Sequence, residues 1–239
     1  MEFIKVPTRT FLPPRDDLYE LLDVHLPRLK NGDIVFITSK VLAIHQGRCV
    51  LVKEADKKAL IKKEADARIK SAKDAPFELT IKDYTLIPSA GIDESNGNGY
   101  YILWPRNTVA LVKEIRARLM KKFKLTRLAV VATDSHTIPL RYGVLGISTG
   151  FYGMEPLHDY RGKKDIFGRP LQYTRTNIVD ALAVMAVMLM GEGKEKTPIV
   201  IGRNIPGVKF TNKPTYKKLV IPTKKDLYYA ILKNFKKHG

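Results

Sequence analysis

The chain has 239 residues, 44% of them hydrophobic, enough to bury a core without metal or disulfide staples. Its 42 Lys and Arg outnumber 24 Asp and Glu, for a formal net charge of +18, so acidic ligands are expected. The single cysteine, Cys49, excludes an intramolecular disulfide framework and CxxC-type zinc or redox sites, which fits a reducing cytoplasm.

Met1-Glu2-Phe3-Ile4-Lys5 has no charged region leading into an apolar one, so it does not read as a secretion signal, and the mature chain is expected to begin here. Asp33-Ile34-Val35-Phe36-Ile37-Thr38 follows the turn signal Asn31-Gly32 and predicts a buried strand with Ser39 and Lys40 at its carboxyl end. Residues 53–74 are rich in Lys, Ala and Glu, with Glu54/Lys58 and Asp66/Lys70 spaced i,i+4, which predicts a surface helix. Residues 79–87 read as a strand or hairpin, and the polar, Gly-rich run at 89–99 as a loop with potential ligands.

Leu111, Ile115, Leu119 and Phe123 predict an amphipathic helix whose solvated face carries Lys113, Arg116 and Arg118. It leads into the apolar strand Leu128-Ala129-Val130-Val131-Ala132-Thr133, ended by Asp134, where open α/β sheets often present ligand-binding groups. Two Gly-rich basic stretches follow, at 143–153 and 161–168. Ile178–Met190 is apolar nearly all round and predicts a buried helix. Asp180 interrupts it, and it falls short of the roughly 20 residues that span a bilayer. Residues 198–201 predict a further strand. Short strands and helices without a regular βαβ rhythm predict an α+β fold with mixed sheets around that buried central helix.

Gly146-Ile147-Ser148-Thr149-Gly150 matches GxSxG, but a nucleophile elbow needs a helix straight after the serine. Phe151-Tyr152-Gly153 with Pro156 argues against one, so the motif reads as a tight glycine-permitted turn. Neither GxxxxGK[ST] nor GxGxxG occurs, so a bound nucleotide would be held by some other device. His25, His45, His136, His158 and His238 are scattered, which argues against zinc. Asp93, Asp134 and Glu192 stand in or next to Gly-rich or strand-end positions. Dispersed hard oxygen ligands of this kind suit Mg²⁺ or Mn²⁺, although each acid alone also suits a turn or a cap. From Arg203 onward ten basic residues accompany the single acid Asp226, a possible nucleic-acid footprint, yet the aromatics there form no stacking pattern and nucleic acid is not the expected partner.

Taken in order, four motifs resemble the coenzyme F-420:L-glutamate ligase family. They are Thr38-Ser39-Lys40, Ser89-Ala90-Gly91-Ile92-Asp93-Glu94-Ser95-Asn96, Thr133-Asp134-Ser135 with Pro139 and Arg141, and the stretch from Asp159-Tyr160-Arg161-Gly162 to Asp165-Ile166-Phe167-Gly168-Arg169. The likeness runs collinearly from about residue 3 to 205, and the AGxDxSN and DxRGxxDxFGR patterns are long enough to be specific.

The resemblance implies a γ-glutamyl ligase fold, an intertwined homodimer, and an amide ligase that joins L-glutamate to an acceptor carboxylate using GTP or ATP and a divalent metal. It makes Asp93, Asp134, Ser135 and Glu192 expected metal ligands, and Ser39, Lys40 and Asn96 expected nucleotide contacts. Asp134 and Arg141 become the expected catalytic pair, with Arg161, Lys163 and Arg169 as binders of the acidic acceptor or glutamate. Residues 1–210 would be the catalytic unit and 211–239 a basic extension packed on it.

Departures from the family pattern fall at the presumed substrate edge. Asp134-Ser135-His136-Thr137-Ile138-Pro139-Leu140-Arg141 lacks the usual Gly-Arg pair, and the Lys often found four residues after Lys40 is Ile44. The sequence is thereby similar to a divergent subgroup thought to glutamylate folates, so the acceptor is either a deazaflavin or a folate. The rival from another class is a nucleic-acid-binding module on an inactive ligase scaffold.

Overall fold

The computed structural model describes residues 1–69 and 77–237. In chain order they form β1 (Glu2–Val6), α1 (Leu18–His25), β2 (Asp33–Thr38), α2 (Ser39–His45), β3 (Cys49–Leu51), α3 (Lys57–Glu64), β4 (Ala67–Arg68), β5 (Leu79–Lys82), β6 (Thr85–Pro88), β7 (Tyr100–Ile102) and α4 (Thr108–Phe123). There follow β8 (Leu128–His136), β9 (Leu145–Tyr152), β10 (Leu157–Asp159), β11 (Arg175–Asn177), α5 (Ile178–Met190), β12 (Ile199–Arg203), α6 (Tyr229–Leu232) and β13 (Lys236–Lys237). The fold is mixed α+β, as the irregular rhythm of the sequence predicts.

Its centre is a five-stranded sheet in the order β1-β12-β2-β8-β9. β2 and β8 run parallel, and the other neighbours pair antiparallel. The inner strands are apolar through their middles, at 34–37, 128–132 and 199–201, because both faces are covered there. Val35, Ile37, Val130, Ala132, Ile199 and Ile201 pack toward the layer of α1, α2 and α4. Their neighbours Ile34, Phe36, Ala129, Val131 and Val200 pack toward α5. Period-two alternation therefore fills two cores from one sheet.

Smaller sheets flank it: the hairpin β5-β6 with β4 and β13, the pair β3-β7 and the pair β10-β11. The β5-β6 turn places Asp83 and Tyr84 at φ 47° and 62°, the left-handed pair of a tight hairpin. Beyond β12 the chain packs back on the central sheet, where the Tyr152 hydroxyl donates to Asn212 O at 2.7 Å and Thr215 Oγ1 to Met154 O at 2.7 Å.

Four expectations change. The centre is the sheet, and α5 is a one-faced cover: Val179, Leu182, Ala183 and Ala186 are buried, while Ala181 and Met188 are exposed. An apolar exposed flank, and not burial all round, explains its composition. The helix at 53–74 shortens to α3. Glu54 belongs to a separate 3-10 turn, Asp66 follows the helix, and Lys70 with 71–74 lies outside the described residues.

Arg116 is not on a solvated face. It is buried, its Nε donating to Leu128 O at 2.7 Å and its guanidinium to Asn212 Oδ1 at 2.6 Å. GxSxG is no turn but the middle of β9. The Ser148 hydroxyl bonds Asp180 Oδ1 at 2.6 Å, and Gly146 lies so close to the Ala183 backbone of α5 that a side chain would collide.

Candidate active site

Strand direction gathers the site. In the parallel register Thr38 pairs with Thr133, so the residues that follow, Ser39-Lys40 and Asp134-Ser135, leave the sheet side by side. β12 is antiparallel to β2, which brings the segment ahead of it to the same edge, with Thr38 N donating to Pro198 O at 3.0 Å. β1 is antiparallel to β12, so its exit returns there too, and Thr8 N donates to Lys196 O at 2.9 Å. Ligands commonly bind at such carboxyl ends.

The result is a cavity of about 600 Å³. Residues 8–13, Thr38, Lys40, Asp93, Ser95, Asn96, Asp134, Ser135 and 190–198 form most of its wall. Asp93 arrives from the loop preceding β7, tied by a two-way backbone bridge with Ile102. Ser95 folds back on it, its amide donating to Asp93 Oδ1 at 2.8 Å and its hydroxyl to Oδ2 at 2.9 Å. Asn96 Nδ2 donates to Gly193 O at 3.0 Å, joining this loop to the one after α5.

Lys40 spans the opening between them. Its ammonium lies 2.7 Å from Asp93 Oδ2 and donates to Ser95 O at 2.7 Å. Asp134 takes bonds from the Ser135 amide at 2.9 Å and from the Trp104 indole N–H. Ser135 Oγ stands 3.5 Å from Glu192 Oε2. Ser39 opens α2 and is buried next to the cavity-lining Thr38 and Lys40.

Burial pushes the Asp134 carboxyl up to about 6, its bonds to Trp104, Ser135 and Ser39 opposing and the Asp93 charge adding to the rise. Burial likewise raises Glu192, with the Asp93 and Glu195 charges adding and Lys40 opposing. Asp93 is half-buried, yet Lys40 and Ser95 outweigh that penalty and hold it below the ordinary aspartate value.

Carboxylates and a hydroxyl are the donors of a hard cation such as Mg²⁺ or Mn²⁺, and the charge crowding at Asp134 and Glu192 is what a cation relieves, so the residues fit one in kind. They are not closed around one point: among the described residues no three His, Cys, Asp or Glu side chains are gathered to hold a metal ion. The Lys40 ammonium stands on Asp93 instead.

Six of the eleven residues expected from the sequence thus line one cavity (Lys40, Asp93, Asn96, Asp134, Ser135 and Glu192), and Ser39 is buried next to Lys40. Four do not line it. Arg141 is exposed on the loop after β8. Arg161 pairs with Asp159 at 2.6 Å, Lys163 Nζ lies 3.3 Å from His158 Nε2, and Arg169 is exposed beside Asp165. Sequence reasoning missed residues 8–13 and Lys196, which wall the cavity through strand topology without any motif to signal them. Among the described residues no helix is long and apolar enough to cross a membrane.

The fold is thus an α+β sheet whose exits surround an acid-rich, lysine-bridged cavity. The chain belongs to the F420-0:Gamma-glutamyl ligase family, whose profile matches residues 9–204. Among its relatives is the coenzyme F420:L-glutamate ligase of Methanopyrus kandleri, 30% identical over 84% of this chain and 85% of the relative. The enzyme of the same name from Archaeoglobus fulgidus is 32% identical over 80% and 84%, and that of Halorubrum lacusprofundi 31% over 85% and 87%.

Proposed function

We propose that the chain is a nucleoside-triphosphate-dependent γ-glutamyl ligase that forms an amide between the amine of L-glutamate and an acceptor carboxylate. Family membership supports the reaction class, and the observation that carries it to this chain is the gathering of Lys40, Asp93, Asp134, Ser135 and Glu192 on one cavity. A carboxylate is a poor electrophile, so the acceptor attacks the γ-phosphate, the bridging P–O bond breaks, nucleoside diphosphate leaves and an acyl phosphate is formed. The glutamate amine then adds to that carbonyl, and inorganic phosphate leaves as the tetrahedral intermediate collapses.

Phosphoryl transfer is chiefly positioning and charge neutralisation. Lys40 offsets charge on the phosphate oxygens, and Asn96 with Ser95 orders the loop over them. Asp93, Asp134, Ser135 and Glu192 would hold a Mg²⁺ or Mn²⁺ ion, which when bound supplies further neutralisation of the triphosphate. The apolar part of the cavity wall, Phe11, Val41, Ile44 and Met190, suits a nucleobase.

Arg141, Arg161, Lys163 and Arg169 are assigned to the acidic acceptor or glutamate in a second copy of the chain. Leu140, Tyr142, Ile166, Phe167 and Tyr173, the apolar residues among them, are each at least 87% exposed, as arms that embrace a homodimer partner would be. The acceptor is a deazaflavin lactyl phosphate or a folate. Incubation with each acceptor, glutamate, GTP or ATP and Mn²⁺, with products weighed by mass spectrometry, tests the reading. A mass gain of one glutamyl unit on one acceptor is expected, and no gain on either, with no glutamate-dependent phosphate release, refutes it.

A further inference from the structure

Trp104 is the chain's single tryptophan and is 3% exposed. On one side it lines a second cavity of about 340 Å³ with Arg48, Lys82 and Arg106. On the other its indole N–H donates to Oδ2 of Asp134, which faces the main cavity. The Ser135 amide, which also donates to that carboxylate, belongs to the next residue and moves with it. The indole does not. Arg48 Nε donates to Trp104 O at 3.0 Å, Leu103 N donates to Arg48 O at 2.9 Å, and Arg48 is locked to Glu64 at 2.5 Å.

The indole is also clamped by the loop that carries Asp93. Ser89, Ala90 and Gly91 follow one another at φ 53°, 54° and 72°, a left-handed turn that lays backbone against the ring. A Cβ at Gly91 would overlap Nε1, Cδ1 and Cε2 of Trp104. Glycine stands there because the indole fills its side-chain space, and two residues later the chain delivers Asp93.

We propose that Trp104 is a positioning residue: its indole N–H aims the Asp134 carboxylate into the cavity, and its packing on Gly91 sets Asp93 and Asp134 in fixed relation to one another. This rests on the metal-dependent ligase reading and deepens it. Groups that orient a ligand through hydrogen bonds commonly matter nearly as much as the ligand, at about 10- to 100-fold in metal affinity.

The test uses the metal-free, full-length protein and Mn²⁺ alone, with free Mn²⁺ counted by electron paramagnetic resonance. Trp104→Phe keeps an aromatic ring and loses the donor. It is expected to bind Mn²⁺ about 10- to 100-fold more weakly with the native fold retained by circular dichroism, and to lose kcat with the nucleotide KM held. In the wild type, Mn²⁺ is expected to quench Trp104 fluorescence where Mg²⁺ does not, and Asp134→Asn abolishes the quench. Wild-type Mn²⁺ affinity in Trp104→Phe overturns the proposal, as does unquenched emission with Mn²⁺ bound. Should that variant fail to fold, the wild-type and Asp134→Asn quench still decides. A wild type that binds no Mn²⁺ fails the metal reading itself, and the positioning role with it.

Discussion

Thr38 of β2 and Thr133 of β8 are partners in the one parallel pairing of the central sheet, and that pairing places Lys40 and Asp134 on the same rim. An antiparallel pairing would send the two exits to opposite edges. Lys40 uses the position to bridge to Asp93 at 2.7 Å. Lys40→Met, which keeps the stem and removes the charge, is expected to lower turnover on the order of 10²-fold by loss of one preorganised electrostatic group. The assay is glutamate-dependent phosphate release, and a variant within a few-fold of wild type would remove Lys40 from the machinery.

Asp134→Asn is expected to cost on the order of 10²-fold or more in turnover while leaving the fold intact. The amide is isosteric, but its one oxygen keeps only one of the two bonds, because the Trp104 indole donates to Oδ2 and the Ser135 amide to Oδ1. Circular dichroism should therefore show the native fold, at a lowered melting temperature, as phosphate release falls. Near-normal release would refute the assignment.

The strand at 33–38 was legible because its apolar run is bounded by turn residues, and the pairing of Asp93 with Asp134 was legible only through long ordered motifs. What stayed hidden is non-local. Nothing near residues 8–13 announces a cavity wall, since they reach it through the antiparallel return of β1 on β12. Helical spacing put Arg116 on the wet side because periodicity treats a guanidinium as polar, whereas here Leu128 O and Asn212 satisfy it inside. β8 continues through Asp134 to His136 because β9 pairs with it past a bulge at Ala132/Thr133, a contact that no local propensity encodes.

Ser148 offers a direct check on the GxSxG motif. Ser148 is 4% exposed, and its hydroxyl donates to Asp180, whose other carboxylate oxygen accepts from Asn177, the N-cap of α5, at 2.5 Å. Ser148→Ala is expected to cost about 1–2 kcal/mol of stability, since Asp180 loses a partner. Turnover should be unchanged. Urea denaturation with the same phosphate assay separates the two, and loss of activity without loss of stability would return a chemical role to the serine.

Asp16 supplies the pH dependence. Both its oxygens receive the Arg9 guanidinium, at 2.6 and 2.8 Å, and the Leu12 and Asp17 amides donate to it as well. The Arg9 bond, ahead of the opposing effect of burial, holds its carboxyl down at about 2. A depressed carboxylate stabilises the fold above its unfolded value near 4, and that contribution is lost as pH falls from there toward 2. Asp16→Asn should therefore be less stable than wild type by about 1–2 kcal/mol at neutral pH. The gap should close between pH 4 and 2, as read from melting temperatures across that range. Because Arg9 and Leu12 line the main cavity, the same variant should raise the nucleotide KM with kcat little changed. A stability gap that persists unchanged at pH 2 would show that Asp16 acts through packing and not through its charge.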